Sequence, residues 1–344
     1  MMQSAPFFSD MAEGPDGGAA YWITAKDGVR LRLGVWPGQS EGITGTVYLF
    51  PGRTEYVEKY GKTSLDLSRA GLHVAVIDWR GQGLADRVAS DPILGHVHDF
   101  ADYQLDVSAM IEAAEALDLP KPWFLLGHSM GGCIGLRSLM DGMPVEAAAF
   151  SAPMWGIHMS PHIRPFAWAL SWASRYLGFD QRYAPGTLPE AYVLSEPFET
   201  NRLTTDTQMY DYMIRHVVEQ PELRVGGPSL RWLYEGLAET RALSNMASPN
   251  VPCLVLLGTD EDIVDPARIH DRVARWPSAI LDLAEGARHE VLMEETGTRT
   301  RADACVTKFF ANYQSITACE PQATSAAPDA QSQAPSHRLR TGNA

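Results

Sequence analysis

Three groups of residues in this 344-residue chain have the types and the order that nucleophilic catalysis requires. The first is Gly127-His128-Ser129-Met130-Gly131, a G-x-S-x-G pentapeptide. Alone it is a weak signal, because glycine and serine are common. Its flanks strengthen it: an apolar run at 123–126 precedes it and a helix-forming run follows from Met130. A chain that reverses so sharply from strand to helix strains the serine and admits only small residues two places to either side. The turn exposes the hydroxyl and points the N-terminus of the next helix at a reacting carbonyl. The competing reading is a glycine-rich turn with a structural serine. His128 is expected to pack beneath the turn rather than act in catalysis.

A serine hydroxyl needs a base, and the base needs a carboxylate to orient it. On such a turn the chain order is serine, acid, histidine. After Ser129 the sequence offers the acidic run Asp260-Glu261-Asp262 behind one predicted strand, then His289 behind the next. His270 falls inside a predicted helix and His337 in a low-complexity tail, which leaves His289 as the base. Asp265 before Pro266 reads as a helix N-cap. Periodicity alone leaves Asp260, Glu261 and Asp262 open as the acid.

These groups must be carried by a scaffold, and the hydropathy pattern describes one. Short β-branched or apolar runs at 21–25, 29–36, 46–50, 73–77, 123–126, 147–151, 252–257 and 279–283 alternate with helical patterns at 56–70, 99–117, 130–140, 266–275 and 298–313. The first two runs flank Lys26-Asp27-Gly28 as a hairpin. Several later runs are almost continuously apolar, as in strands covered on both faces. The alternation predicts an α/β fold with a mostly parallel central sheet. Residues 154–246 break the rhythm with aromatic, Pro and Gly residues and no strand pattern. They are expected to form a helical cap inserted after the sixth strand, over the strand ends where ligands bind. The core is then 20–153 and 247–315, with 1–19 a flexible N-terminal tail and 316–344 a disordered C-terminal one.

Composition narrows the class. The formal charge of −14 disfavours nucleic acid and anionic membrane surfaces as partners. No apolar run approaches the roughly 20 residues of a membrane span, so stable membrane insertion is not expected. The N-terminus lacks the basic start and apolar core of a secretory leader, and a cytoplasmic protein is expected. Cys133, Cys253, Cys305 and Cys319 lie far apart without CxxC spacing, against a disulfide framework or a cysteine-built metal site. No metal or cofactor is expected. Oligomeric state is not legible in the sequence.

Five ordered blocks carry a family resemblance: FPGRTEYVEKYGK, VIDWRGQGLADR, GHSMGG, LGTDEDIVDP and GARHEVLMEE. From about residue 21 to 314 the chain resembles the α/β-hydrolase family of lysophospholipase L2 and monoacylglycerol lipase. The resemblance implies a serine hydrolase of monoacyl lipid esters with an acyl-enzyme intermediate. It implies Ser129 as nucleophile, His289 as base and Glu261 as acid, with Asp260 and Asp262 as alternatives; many members carry Asp where this chain has Glu261. It further implies an oxyanion hole of two main-chain N–H groups, those of Arg53 and Met130. The family's usual His-Gly pair reads Pro51-Gly52 here, which alters the setting of that donor without removing it.

For the substrate, Trp155, Met159, Trp168 and Trp172 are candidate pocket residues; Trp168, Trp172 and Tyr176 share one helical face, which could equally pack the cap onto the core. Arg53, Arg80 and Arg87 are the nearby cations, any of which could orient a phosphate, although pairing with acids is the plainer role for Arg80 and Arg87. His96 and His98 beside Asp99 suggest helix capping more than a metal. Rivals to lipid ester hydrolysis are acyl transfer or peptide hydrolysis by the same triad, and a ligand-binding protein without turnover.

Overall fold

A computed structural model describes residues 2–40, 42 and 44–314. Nine strands form one sheet: β1 (Gln3–Ser4), β2 (Ala19–Thr24), β3 (Arg30–Trp36), β4 (Thr46–Phe50), β5 (His73–Asp78), β6 (Trp123–His128), β7 (Ala147–Ser151), β8 (Cys253–Gly258) and β9 (Ala279–Ala284). Their spatial order is β1-β2-β3-β5-β4-β6-β7-β8-β9. The first three strands run antiparallel to their neighbours, and β4 through β9 are parallel to one another. The helices are α1 (Ser9–Ala12), α2 (Gly61–Arg69), α3 (Asp102–Ala116), α4 (Ser129–Met140), α5 (Ile163–Leu177), α6 (Tyr192–Ser195), α7 (Thr207–Glu219), α8 (Leu230–Ser244), α9 (Pro266–Ala274) and α10 (Thr296–Ala311).

The near-continuous apolar strands are explained by burial on both faces. Side chains alternate across a strand, so Tyr48 and Phe50 join one core cluster while Val47 and Leu49 join the other. The same split divides Leu254 and Leu256 from Val255 and Leu257. All of the parallel strands therefore end on the same edge of the sheet, and the loops leaving β4, β6, β8 and β9 meet there. Between β7 and β8 the chain contributes α5 to α8 and no strand of the sheet. In α5, Gly178 in the left-handed region ends the helix. None of the described helices is long and apolar enough to cross a membrane.

The N-terminus departs from the expectation of a flexible tail. Gln3 and Ser4 pair with Trp22 and Tyr21, which makes 147–151 the seventh strand rather than the sixth. Met11 and Ala12 are buried, and their carbonyls accept hydrogen bonds from His216 and Tyr212 of α7. The small and polar residues of this segment have little to bury among themselves. Partners some 200 positions away in the chain order them, and local composition cannot register that. The expected C-terminal tail, with Cys319 and His337, lies outside the described residues.

Candidate active site

Ser129 is the first residue of α4, directly after His128 ends β6, with φ of +49°. For a residue with a side chain this costs on the order of 1–3 kcal/mol, and surrounding contacts must enforce it. One is the Met154 N–H, which donates to the Ser129 carbonyl at 2.8 Å. Gly131 shows why the pentapeptide needs its second glycine. A Cβ there would lie 2.0 Å from the carbonyl oxygen of Phe50 and 2.6 Å from that of Pro51. Helix α4 thus packs directly on the main chain at the end of β4, bringing the turn after that strand beside Ser129.

Several main-chain groups of that turn, 51–55, are held by neighbouring side chains. The Trp79 indole donates to Pro51 O at 2.9 Å, and the Gln82 amide donates to Gly52 O at 2.8 Å and Glu55 O at 3.1 Å. The Gly52 N–H donates to the Glu55 carboxylate, and the Thr54 N–H to Gln82 Oε1 at 3.3 Å. Thr54 itself sits at φ +68°. The Arg53 N–H has no acceptor among the described residues, and neither has the Glu55 N–H. Met130 is the second residue of α4, so its N–H also has no intrahelical acceptor. The turn and the helix start therefore both offer open main-chain donors, and Arg53 lines the same cavity as Ser129.

The histidine and its acid arrive from the neighbouring strands. His289 Nδ1 lies 2.7 Å from Glu261 Oε2. The other carboxylate oxygen of Glu261 accepts the N–H groups of Ile263 at 2.6 Å and Val264 at 3.0 Å. Burial works to raise the Glu261 pKa, but the histidine and these donors outweigh it and hold the carboxyl below its ordinary value. Of the alternatives, Asp260 is exposed, and Asp262 is exposed and paired with Arg202 and His158. With Nδ1–H committed to the carboxylate, Nε2 is the nitrogen free to take a proton. No hydrogen bond joins the Ser129 hydroxyl to the His289 ring among the described residues; such contacts commonly tighten only around substrate. Both residues line one cavity of about 650 Å³.

The His289 loop is clamped by the cap. The Glu290 N–H donates to Leu203 O at 2.8 Å. Glu294 accepts the N–H groups of Arg288 at 2.8 Å and Thr205 at 3.0 Å. Arg288 in turn donates to the carbonyls of Asn201 and Thr204.

Beneath Ser129 and His289 lies a buried ionic cluster. Lys59 Nζ is 2.6 Å from both Glu55 Oε1 and Glu290 Oε1. His128 Nε2 is 3.3 Å from Glu290 and 3.6 Å from Glu55, and its Nδ1–H donates to Ser151 O at 3.0 Å. Burial opposes a charged imidazole, but the two carboxylates prevail and raise the His128 pKa. Glu290 is driven well below its ordinary value by Lys59 and His128 despite burial. Glu55, His128 and Glu290 come within metal-coordinating reach of one another. The Lys59 ammonium already bridges the two carboxylates, so the protein supplies the positive charge itself. His128 does pack under the turn, with two carboxylates facing its ring. Sequence reasoning missed Glu55, Lys59, Gln82 and Glu290; the only signal was that all four fall inside the family blocks.

The expected pocket residues are distributed differently. Trp155 is 3% exposed, donates to Gly132 O at 3.1 Å and packs on Phe150 and Trp276, which makes it a core residue. Met159 and Trp168 line a separate cavity that shares only His158 with the first. Trp172 is 52% exposed, and Tyr176, on the same face, points outward with it. The cavity holding Ser129 is walled instead by Tyr192, Val193, Leu203, Met213, Val217 and Ile263. Helical periodicity showed one aromatic face of α5 but not which way it turns. Arg80 is paired with Asp106 and Asp27. Arg87 donates to the carbonyls of Gly81, Gly83 and Glu222. His96 Nδ1 bonds to the hydroxyl of Ser229, the N-cap of α8, at 2.8 Å, while Asp99 accepts the Ala101 N–H at the start of α3.

A strained serine at a strand–helix turn, a histidine–carboxylate pair and open main-chain donors, on a mostly parallel sheet with a helical insertion, define the α/β-hydrolase class of serine hydrolases. The chain belongs to the family described as serine aminopeptidase, S33, whose model matches residues 42–296. It is 35% identical over 282 residues to lysophospholipase L2 of Escherichia coli (strain K12), covering 78% of this chain and 81% of that protein. Monoglyceride lipase of Saccharomyces cerevisiae is 25% identical, over 78% of this chain and 86% of its own length. The crystal structure of a soluble variant of that yeast lipase with a substrate analog superposes with a TM-score of 0.67 at 20% identity, covering 86% of this chain and 95% of that one. A carboxyl esterase from Bacillus coagulans gives 0.66 at 16% identity, covering 86% and 98%. These two structures show the shared fold.

Proposed function

We propose that this protein hydrolyses the carboxylic ester of monoacyl lipids, lysophospholipids or monoacylglycerols. The Ser129 oxygen attacks the ester carbonyl carbon while its proton passes to His289 Nε2, and Glu261 stabilises the imidazolium. The N–H groups of Arg53 and Met130 hold the oxyanion. Collapse of the tetrahedral intermediate breaks the ester bond, and the departing alkoxide takes the proton from His289. Water, deprotonated by His289, then attacks the acyl-enzyme, and the carboxylic acid is released as Ser129 recovers its proton. A cytoplasmic setting belongs to the same proposal, and cell fractionation tests it.

The observation that carries this reading is the 2.7 Å bond from His289 to buried Glu261, in a cavity shared with the positive-φ Ser129. The names of the relatives in both lysophospholipase and monoglyceride lipase groups support the substrate class. The test is an activity panel across acyl lengths and head groups with Ser129→Ala as blank, together with fluorophosphonate labelling. A folded protein that is neither labelled nor active on any ester defeats the proposal. The family description names an aminopeptidase, and the same triad would attack an amide. Faster turnover of aminoacyl anilides than of esters would favour that second reading.

A further inference from the structure

The cations lining the cavity of Ser129 are not equivalent. Lys59 is consumed by Glu55 and Glu290, and Arg202 is paired with Asp262 at 3.3 Å. His158 also faces Asp262, and His289 is bonded to Glu261. Arg53 has no carboxylate partner among the described residues. Glu55, two positions along the same turn, is taken up by Lys59, Tyr60 and the Gly52 N–H.

The Arg53 guanidinium is nevertheless fixed. One Nη1–H donates to Gly226 O at 2.9 Å, and its carbon lies 5.6 Å from the centroid of the Trp232 ring. Gly95 makes room for it, since a Cβ there would stand 3.2 Å from Nη1. Burial lowers its pKa to about 10, so it stays charged at neutral pH. A single carbonyl leaves the rest of the five-donor fork unused. Its remaining nitrogens are not among the fully buried, unpartnered polar atoms, and the residue lines the cavity of Ser129. A held, charged, half-buried guanidinium with donors to spare suits a phosphate.

Its place in the chain sets the distance. The Arg53 N–H is one of the two donors proposed for the oxyanion, so the ester carbonyl is anchored at this residue's own main chain. As many bonds separate an arginine's main-chain nitrogen from its guanidinium carbon as separate the ester carbonyl carbon of a 1-acyl lysophospholipid from its phosphorus. One residue can therefore hold both ends of a lysophospholipid head, oxyanion by main chain and phosphodiester by side chain. A neutral monoacylglycerol offers the side chain nothing.

We propose that Arg53 is the head-group specificity determinant, selecting phosphodiester-bearing monoacyl lipids over neutral monoacylglycerols. This rests on the proposed ester hydrolysis at Ser129 and narrows its substrate. Glu196, on the same cavity wall and without a cationic partner among the described residues, opposes the anion and limits where the phosphate can lie. Because Arg53 also contributes its main chain, the meaningful readout is a ratio within each variant, in which any common loss cancels.

The test measures kcat/KM for an oleoyl lysophosphatidylglycerol and for monooleoylglycerol, in wild type, Arg53→Met and Arg53→Lys, with folding checked by circular dichroism. The ratio of the two is expected to fall about ten- to a hundredfold in Arg53→Met and to be partly restored in Arg53→Lys. A second measurement uses glycerol 3-phosphate as a competitive inhibitor of short p-nitrophenyl ester hydrolysis. Its inhibition constant should rise by a similar factor in Arg53→Met, while glycerol should show no such change. If both lipids slow alike and glycerol 3-phosphate inhibits both proteins equally, the head-group role is overturned and lipid ester hydrolysis stands. If wild type turns over neither lipid, the substrate reading falls and this inference falls with it.

Discussion

Glu290 Oε2 lies 3.3 Å from Nε2 of His128, and each is the immediate chain neighbour of a residue proposed to do chemistry. His128 precedes Ser129, and Glu290 follows His289. One buried contact thus ties the nucleophile turn to the histidine loop, and Lys59 and Glu55 extend it to the turn bearing the Arg53 donor. With His128 protonated, two cations face two carboxylates, so the buried cluster carries no net charge. Removing one member leaves an uncompensated charge, which is why such clusters are costly to break.

Lys59→Met should destabilise the fold by about 3–5 kcal/mol, because Glu55 and Glu290 would then face each other without the ammonium between them. Denaturant unfolding of the two proteins measures this. A loss below about 1 kcal/mol would mean that the cluster is not charged as described.

His128 gives the same cluster a pH signature. Its pKa is raised on folding, so its contribution is complete below the unfolded value and is lost as pH rises through the folded value. The melting-temperature gap between wild type and His128→Asn should therefore be wider near about pH 6 than near about pH 9. A gap that widens with pH would reverse the assignment.

Glu261 has the opposite sign. Its pKa is depressed on folding, so it stabilises the native state above the unfolded value, and that contribution fades as pH falls through the folded one. Stability lost in Glu261→Gln should be larger at neutral pH than near about pH 3. The same variant should lose kcat by up to about 10⁴-fold, because the amide no longer fixes the imidazole tautomer. Asp260→Asn and Asp262→Asn, at exposed positions, should stay within about threefold of wild type. Full activity in Glu261→Gln would transfer the role to another acid.

Ser129→Ala should lower kcat by about 10⁴-fold or more, abolish fluorophosphonate labelling and leave the circular dichroism spectrum unchanged. Labelling that persists in this variant would locate the nucleophile elsewhere.

Gly131→Ala is a test of the oxyanion turn that touches neither donor directly. The new Cβ must displace main chain at Phe50 and Pro51, not a flexible side chain. The expected result is a loss of about 10²–10³ in kcat, comparable to one lost donor, with KM changing far less. Unaltered kcat would show that the turn does not depend on this packing.

Much of the fold was legible in the order of residues. The strands expected at 46–50 and 147–151 are β4 and β7 without a shift, and the helix expected at 266–275 is α9 to within one residue, with Asp265 capping it. These elements have strong local causes: short apolar runs and an N-cap ahead of proline. The order of Ser129, an acidic run and His289 was equally local, because each follows its own strand. The pocket was less legible. Trp155 and Trp172 are both large, aromatic and near the cap, yet one is core and the other faces outward.

By itself, the sequence determined the alternation of strand and helix, the strained serine turn and the chain order of the reacting groups, since these follow from short-range sterics and hydropathy. Only the tertiary structure decided which of three adjacent acids meets His289, and it did so through main-chain donors at Ile263 and Val264 that turn one carboxylate inward. It also decided that Glu55, Lys59, His128 and Glu290 form one cluster and that Arg53 lacks a carboxylate partner among the described residues. Charges from three separate segments meet only when the parallel strands end at a common edge. Pairing across such separations depends on where the backbone goes, and neither residue type nor spacing encodes that locally.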